Sequence, residues 1–275
     1  MTPTGTHGDT PSVAGTVRRV RFVTEAGAGD EVLAEFVDPA PRRAVCRAPG
    51  TAPEPGDGID VLTAPGSAGD DPMLSAGPAQ WVADGSSATP TVVTVHGAQV
   101  VWTPARAAIL APADRTEPFL RALVEFCYFE AQLRALEAET AAAWPLLDAD
   151  SALSRTVTTH DPDRFEDVTA RAAQALDRRV RLARIVPYLY QPRPHLPPLA
   201  NQLIDRLRER AHIENRHEAL AAQLDVFDRV YEMTSQLISD FTASRQQKTL
   251  EWVIIVLLAA ETLLLLIDLL WTLGV

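Results

Sequence analysis

The sequence predicts an α+β protein in which an N-terminal strand-rich domain is followed by a helical bundle with a long coiled-coil-like helix, and then by one C-terminal transmembrane helix. Three observations carry that reading. Between residues 16 and 112 short β-branched runs alternate with Gly, Pro and Asp punctuation. After Pro112 the apolar residues recur at helical spacing. From Trp252 to Leu273 the chain is almost continuously aliphatic.

Residues 1–15 are rich in Thr, Gly, Ser and Pro and lack periodicity, so they cannot bury enough apolar surface to offset ordering entropy; disorder is expected there. Strands are predicted over Val17 to Val23, Val32 to Phe36, Asp60 to Leu62, Val92 to Val95 and Gln99 to Trp102. The last two flank His96-Gly97, where glycine can supply the positive φ of a tight turn. Between Ala48 and Pro90 the density of Pro, Gly, Ser and Asp predicts long surface loops.

The helical domain is placed at residues 113–248. Thr116 is the predicted cap of a first helix that begins with Glu117 and Pro118 and carries Phe119, Leu123, Phe126, Leu133 and Leu136 on one face. A second helix is predicted from Asp161 as N-cap and Pro162 as its first residue, running to Ile185. Five prolines between Pro187 and Pro198 break it. A long helix is then expected over about residues 198–248. Within it Ile213, His217, Leu220, Leu224, Phe227, Tyr231, Thr234, Ile238, Phe241 and Arg245 are spaced alternately four and three apart, the repeat of a coiled-coil or bundle seam. Two partners fit that seam: the two earlier helices of the same chain, or a second copy beside a membrane. A homo-oligomer is the expectation from the second.

The anchor is placed at residues 250–274. Trp252 to Leu273 is 22 residues, which at 1.5 Å per residue spans roughly 33 Å, enough for a hydrocarbon core. Fourteen of them are Leu, Ile or Val, favouring insertion by roughly 4–8 kcal/mol, and Glu261 near the centre subtracts about 3 kcal/mol. Trp252 and Trp271 stand at the ends, where amphipathic rings prefer the interface. Glu261 and Asp268 are seven residues apart and share nearly one helical face. Arg245 and Lys248 precede the stretch, only Gly274 and Val275 follow it, and Met1 to Gly15 lacks the charged and apolar regions of a secretory signal. The expectation is a tail-anchored, single-pass protein whose soluble part faces the cytoplasm. Lys248 is the only lysine among 25 basic residues, an arginine bias typical of GC-rich genomes, so the expected membrane is the plasma membrane of a bacterium.

At the C-terminus Leu250-Glu251-Trp252-Val253-Ile254-Ile255, followed six residues later by Glu261, resembles the signature of the "required for meiotic nuclear division" family, a domain-of-unknown-function family. Leu203 to Leu207, Glu214 to Glu218 and Leu224-Asp225-Val226 resemble that family's long helix before the anchor, and Val92 to Trp102 its strand-Gly-strand opening. The resemblance covers about residues 91–267. The chain departs from the family in Gln191 to Pro197, where an acidic, aromatic, proline-containing segment is usual. The resemblance implies a membrane protein without enzymatic activity and without a cofactor. Eukaryotic members reside in the mitochondrial inner membrane or other endomembranes, and a mitochondrial one supports translation by the organelle's ribosomes.

Composition narrows the remaining classes. A net charge of -11 argues against direct nucleic-acid binding, which needs clustered Lys and Arg to release counterions. Cys46 and Cys127 are far apart and sit in no metal-ligand or redox spacing, so both are read as reduced core residues. Gly27-Ala28-Gly29 lacks the third glycine and the helix of a dinucleotide loop and reads as a turn. Glu214 and His217 have the spacing of half a di-iron site, but no second such pair is present. His160, Asp161 and Asp163 read as a helix cap rather than a cation site. No Walker A or nucleophile-elbow motif occurs.

The leading expectation is therefore a non-enzymatic tail-anchored scaffold or tether. It engages the bilayer through Leu250, Glu251, Trp252, Glu261 and Asp268, oligomerises through Leu220, Leu224, Phe227, Tyr231, Ile238 and Phe241, and recruits an unidentified cytoplasmic protein or assembly. The alternative is an ion-transport component that uses Glu261 and Asp268 in an oligomer, on a plan resembling magnesium channels of the CorA type. Against it stand a single span and the lack of a Gly-Met-Asn signature. An enzyme with a site assembled from residues distant in sequence is the third class.

Overall fold

The computed structural model describes residues 15–46, 58–66, 72–151 and 162–272, with backbone alone at 72–75, 162–164, 241, 242, 245 and 268–272. The chain forms two compact units, one of Met1–Glu139 with Arg179–Ala221 and one of Thr140–Arg178 with Ala222–Val275. Together they make an α+β protein: a seven-stranded sheet first, then helices, with an apolar helical stretch at the C-terminal end.

The first unit is built on strands β1 (Thr16–Val23), β2 (Glu31–Phe36), β3 (Arg42–Cys46), β4 (Gly58–Pro65), β5 (Thr91–Val95), β6 (Ala98–Trp102) and β7 (Arg106–Ala111). They hydrogen-bond in the order β2-β3-β1-β4-β7-β6-β5. Every pair is antiparallel except β4 with β7, at the middle of the sheet. These central strands read as near-continuous buried runs, as expected of strands covered on both faces. Helix α1 (Pro72–Asp84) covers one face, where Val82 packs with Leu62, Val101 and Ala108. Successive strand residues point to opposite faces, so Trp102, next to Val101, meets Phe126 of helix α2 (Ala113–Ser151) on the other.

The β5–β6 hairpin turns at His96 (φ 44°) and Gly97 (φ 82°), the two positive φ values of a two-residue hairpin loop. Gly29 (φ 89°) likewise turns the β1–β2 connection, where Asp30 accepts a hydrogen bond from the Gly27 amide at 2.9 Å.

Several elements differ from expectation. The loop region over Ala48 to Pro90 contains β4 at nearly full strand length and all of α1. Helix α1 keeps Pro78 inside it, and burial of Val82 in the sheet overrides the breaker residues that predict a loop. Strands β3 and β7 were not expected: Arg42-Arg43 masks a strand buried at Ala44, Val45 and Cys46, and the alanines of β7 carry no β signal of their own. Thr116 is not a cap. Helix α2 begins at Ala113, and the Thr116 hydroxyl donates back to the Pro112 carbonyl at 3.1 Å from within the first turn. Helix α3 (Pro162–Tyr190) starts at the expected proline and runs through Pro187. Its expected cap, Asp161, lies outside the described residues, as do 1–14.

The expected long helix is two helices. Helix α4 (Pro198–Arg210) ends where His212 takes φ 52°, and α5 (Ile213–Thr272) follows as one helix of 60 residues. Helix α4 buries Ala200, Leu203, Ile204 and Leu207, the i, i+3, i+4, i+7 stripe of an amphipathic helix.

The second unit is helical. Leu147 of α2, Val168 and Ala175 of α3, and Phe227 and Tyr231 of α5 form its core, flanked by Ala143, Trp144, Ala172, Val230 and Ile238.

Candidate functional site

The predicted seam is placed against the chain's own helices. In the first unit Ile213 and Leu220 are buried, and His217, at the seam's edge, meets the Tyr190 hydroxyl through Nδ1 at 3.0 Å. In the second unit Leu224, Phe227, Tyr231 and Thr234 are buried, and Ile238 packs at the edge of the core. The Phe227 ring meets Trp144 edge-on at 5.0 Å, and the Arg178 guanidinium lies 5.4 Å from its centroid. Tyr231 donates to Asp150 at 3.4 Å, and Asp150 also accepts two bonds from Arg171 at 2.6 and 2.8 Å. Burial first, and then the Asp150 charge, push the Tyr231 hydroxyl up to about 12. The side chains of Phe241 and Arg245 lie outside the described residues.

The C-terminal apolar stretch presents the opposite environment. Gln246–Ile267 is a helical segment of 22 residues with mean hydropathy 2.4, long and apolar enough to cross a membrane, and none of it is buried. A soluble core helix of such composition would be covered. Leu250 and Trp252 are exposed, and Glu251 accepts a hydrogen bond from Gln247 at 3.1 Å, one helical turn away. Glu261 is exposed among aliphatic neighbours. The Asp268 side chain lies outside the described residues.

Two polar networks in the first unit were missed by sequence reasoning. Glu125 is buried on an otherwise apolar face of α2 and accepts from Arg193 Nε at 2.9 Å, with His195 Nε2 2.5 Å from its other oxygen. Arg193 is itself buried, lies over the Phe129 and Tyr188 rings, and donates to the Tyr188 and Gln191 carbonyls. Asn201 fixes the same segment by accepting from the Arg193 amide at 2.7 Å and donating to the Arg193 and Leu196 carbonyls. The Gln191 to Pro197 segment is thus tied to α2 by a buried ion pair. The legible signal was a carboxylate flanked by Leu123, Val124 and Phe126, and an arginine set between prolines.

The second network joins Glu130 and Glu137 of α2 to Arg134 and Arg216. Arg216 binds Glu137 through two bonds at 2.8 and 2.7 Å and reaches Glu130 at 2.9 Å, while Arg134 pairs with Glu130 through Nε and Nη2. Desolvation, and then repulsion from Arg216, push the Arg134 guanidinium below its usual range.

Neither cysteine is in a disulfide, and both are buried. Burial pushes the Cys127 thiol up to about 12, so it is a protonated packing group rather than a nucleophile. Among the described residues no group of three or more His, Cys, Asp or Glu is placed to hold a metal ion. His160 and Asp161, and the Asp163 side chain, lie outside them.

No family model matches the sequence, and no curated protein matches it. Among solved structures the full-length CmaX protein is similar to this chain at 12% identity, covering 88% of this chain and 82% of that one, with a TM-score of 0.39.

Proposed function

We propose that this chain is a single-pass, non-enzymatic membrane scaffold or tether. The observation that carries the reading is the exposed apolar stretch Gln246–Ile267, continuous with a helix whose earlier part is packed into the folded units. Burying that stretch in lipid removes its aliphatic surface from water, and no protein surface among the described residues does so. Arg245 and Lys248 at its start favour a cytoplasmic soluble part by the positive-inside rule. The motif resemblance at Leu250 to Glu261 supports a tethering role that includes recruitment of a cytoplasmic protein or assembly, and it rests on those quoted residues alone.

The test is fractionation of the chain truncated after Lys248. The truncated protein is expected in the soluble fraction with its fold retained, while the intact protein resists alkaline extraction from membranes. Membrane retention of the truncated form after alkaline washing would overturn the anchor. Crosslinking in cells, followed by mass spectrometry of the intact protein against the truncated one, tests the tether: a partner lost with the anchor supports it, and a monomer without a partner removes it.

A second reading, an ion-transport component, is favoured by Glu261, an ionisable group inside the apolar stretch. Acids at membrane depth face protein or water rather than lipid, which requires neighbouring copies around Glu261. Flux through liposomes that is unchanged by Glu261→Gln with Asp268→Asn would exclude the acids as the path.

A further inference from the structure

At one end of the sheet in the first unit, five structural pieces converge on a cavity of about 290 Å³. The register brings them there: Phe22 near the end of β1, Arg42 at the start of β3, Ile59 at the start of β4 and Trp102 at the end of β6 lie at the same edge, and α2 crosses over them with Tyr128 and Arg134. Phe22, Ile59 and Trp102 give the walls an apolar part, beside the polar side chains of Arg42, Glu130, Gln132 and Arg134. Tyr128 donates its hydroxyl to the Ala40 carbonyl, outside the cavity, and its ring stacks on Phe36.

The charge at the mouth is committed only in part. Glu130 is the one carboxylate lining the cavity, and both its oxygens already accept from Arg134 and Arg216. Arg134 spends Nε and Nη2 on that carboxylate and keeps Nη1. Arg42 is exposed and bonds no carboxylate among the described residues. The lining therefore carries two guanidinium groups against one shared carboxylate, a local positive excess in a chain of net charge -11. Guanidinium forks over an apolar pocket match a planar or tetrahedral oxyanion carried on an apolar body.

We propose that this cavity binds a small organic oxyanion, a carboxylate or phosphate monoester, with Arg42 and Arg134 taking the charged group and Phe22, Ile59 and Trp102 facing its apolar part. The protonated Cys127 in the wall takes no covalent role, so the site binds without reacting.

The test is calorimetric titration of the intact protein in nonionic detergent with benzoate, phenyl phosphate, inorganic phosphate and benzylamine. Saturable one-to-one binding of benzoate or phenyl phosphate is expected, with no binding of benzylamine, whose shape is similar but whose charge is opposite. Arg42→Gln should weaken the anion at least tenfold at an unchanged thermal midpoint, since the side chain is exposed, and Arg42→Lys should restore part of the affinity. Absence of saturable binding of either organic anion, equal affinity in Arg42→Gln, or equal binding of benzylamine would overturn the proposal. Inorganic phosphate binding as tightly as phenyl phosphate would overturn the role of the apolar wall.

Discussion

Replacing Phe227 by Ala in the intact protein removes the largest fully buried ring of the second unit. The ring is 0% exposed, packs edge-on against Trp144 at 5.0 Å and lies under the Arg178 guanidinium. Truncating a core phenylalanine costs about 3–5 kcal/mol, a range that includes the edge-to-face pair at about 0.5–1.5 kcal/mol and the cation-π contact at about 0.5–2 kcal/mol. At tenfold per 1.4 kcal/mol, opening of this unit should become roughly a hundred to several thousand times more frequent. Amide hydrogen exchange read by mass spectrometry reports it, in peptides spanning Thr140 to Asp150 and Val168 to Arg178. Arg229 is exposed on the same helix, and Arg229→Ala should change exchange by no more than about threefold, the effect of a surface substitution within about 0.5 kcal/mol. Equal exchange in the two variants would refute the packing argument. Phe227→Asp sharpens the test, because an unpaired buried carboxylate is worse than a cavity. A fall in oligomer mass with unchanged exchange would instead assign the ring to a contact between copies.

Arg193→Met strands the Glu125 carboxylate in the interior and should cost about 3–5 kcal/mol in urea unfolding, most of it recovered in the Arg193→Met, Glu125→Leu double variant; His195→Ala, at the exposed end of the network, should cost under about 1 kcal/mol. Tyr231 has a folded pKa of about 12 against an ordinary value of 10, so the folded state holds the phenolic proton more tightly than the unfolded state. Its contribution is complete below pH 10 and is lost as pH rises through about 12. Tyr231→Phe should flatten the fall in stability across that window, measured as thermal midpoint against pH, and an unchanged profile would refute it. Cys46 and Cys127 should resist alkylation at pH 8 until the protein is unfolded, because both are buried and burial raises both thiols.

Long-range periodicity was legible, and local breaker content misled. The stripe from Leu220 to Tyr231 and the aliphatic stretch after Trp252 each repeat one signal over many residues, so tertiary context had nothing to overrule. The hairpin at His96-Gly97 was legible because only a few residue types accept its backbone. Helix α1 was not, since Pro72, Gly77 and Pro78 argue locally for a loop and only the burial of Val82 against β4, β6 and β7 decides for helix. The break at His212 was hidden for the converse reason. No glycine or proline marks it, and a histidine adopts the left-handed region too rarely for its presence alone to predict a break. The cavity between Arg42 and Arg134 draws on residues more than ninety positions apart in the chain, and no spacing rule joins them.

The 60-residue helix from Ile213 to Thr272 is about 90 Å of unbroken backbone. Its packed stripe and its apolar stretch therefore share one helical phase. Deleting a single residue between Ile238 and Gln246 would swing every side chain of the apolar stretch by about 100° relative to Phe227 and draw it about 1.5 Å closer, whereas deleting seven would return nearly the same azimuth. The azimuth of Glu261 on the apolar stretch is thus indexed to the core around Phe227, in the way one end of a shaft is indexed to the other.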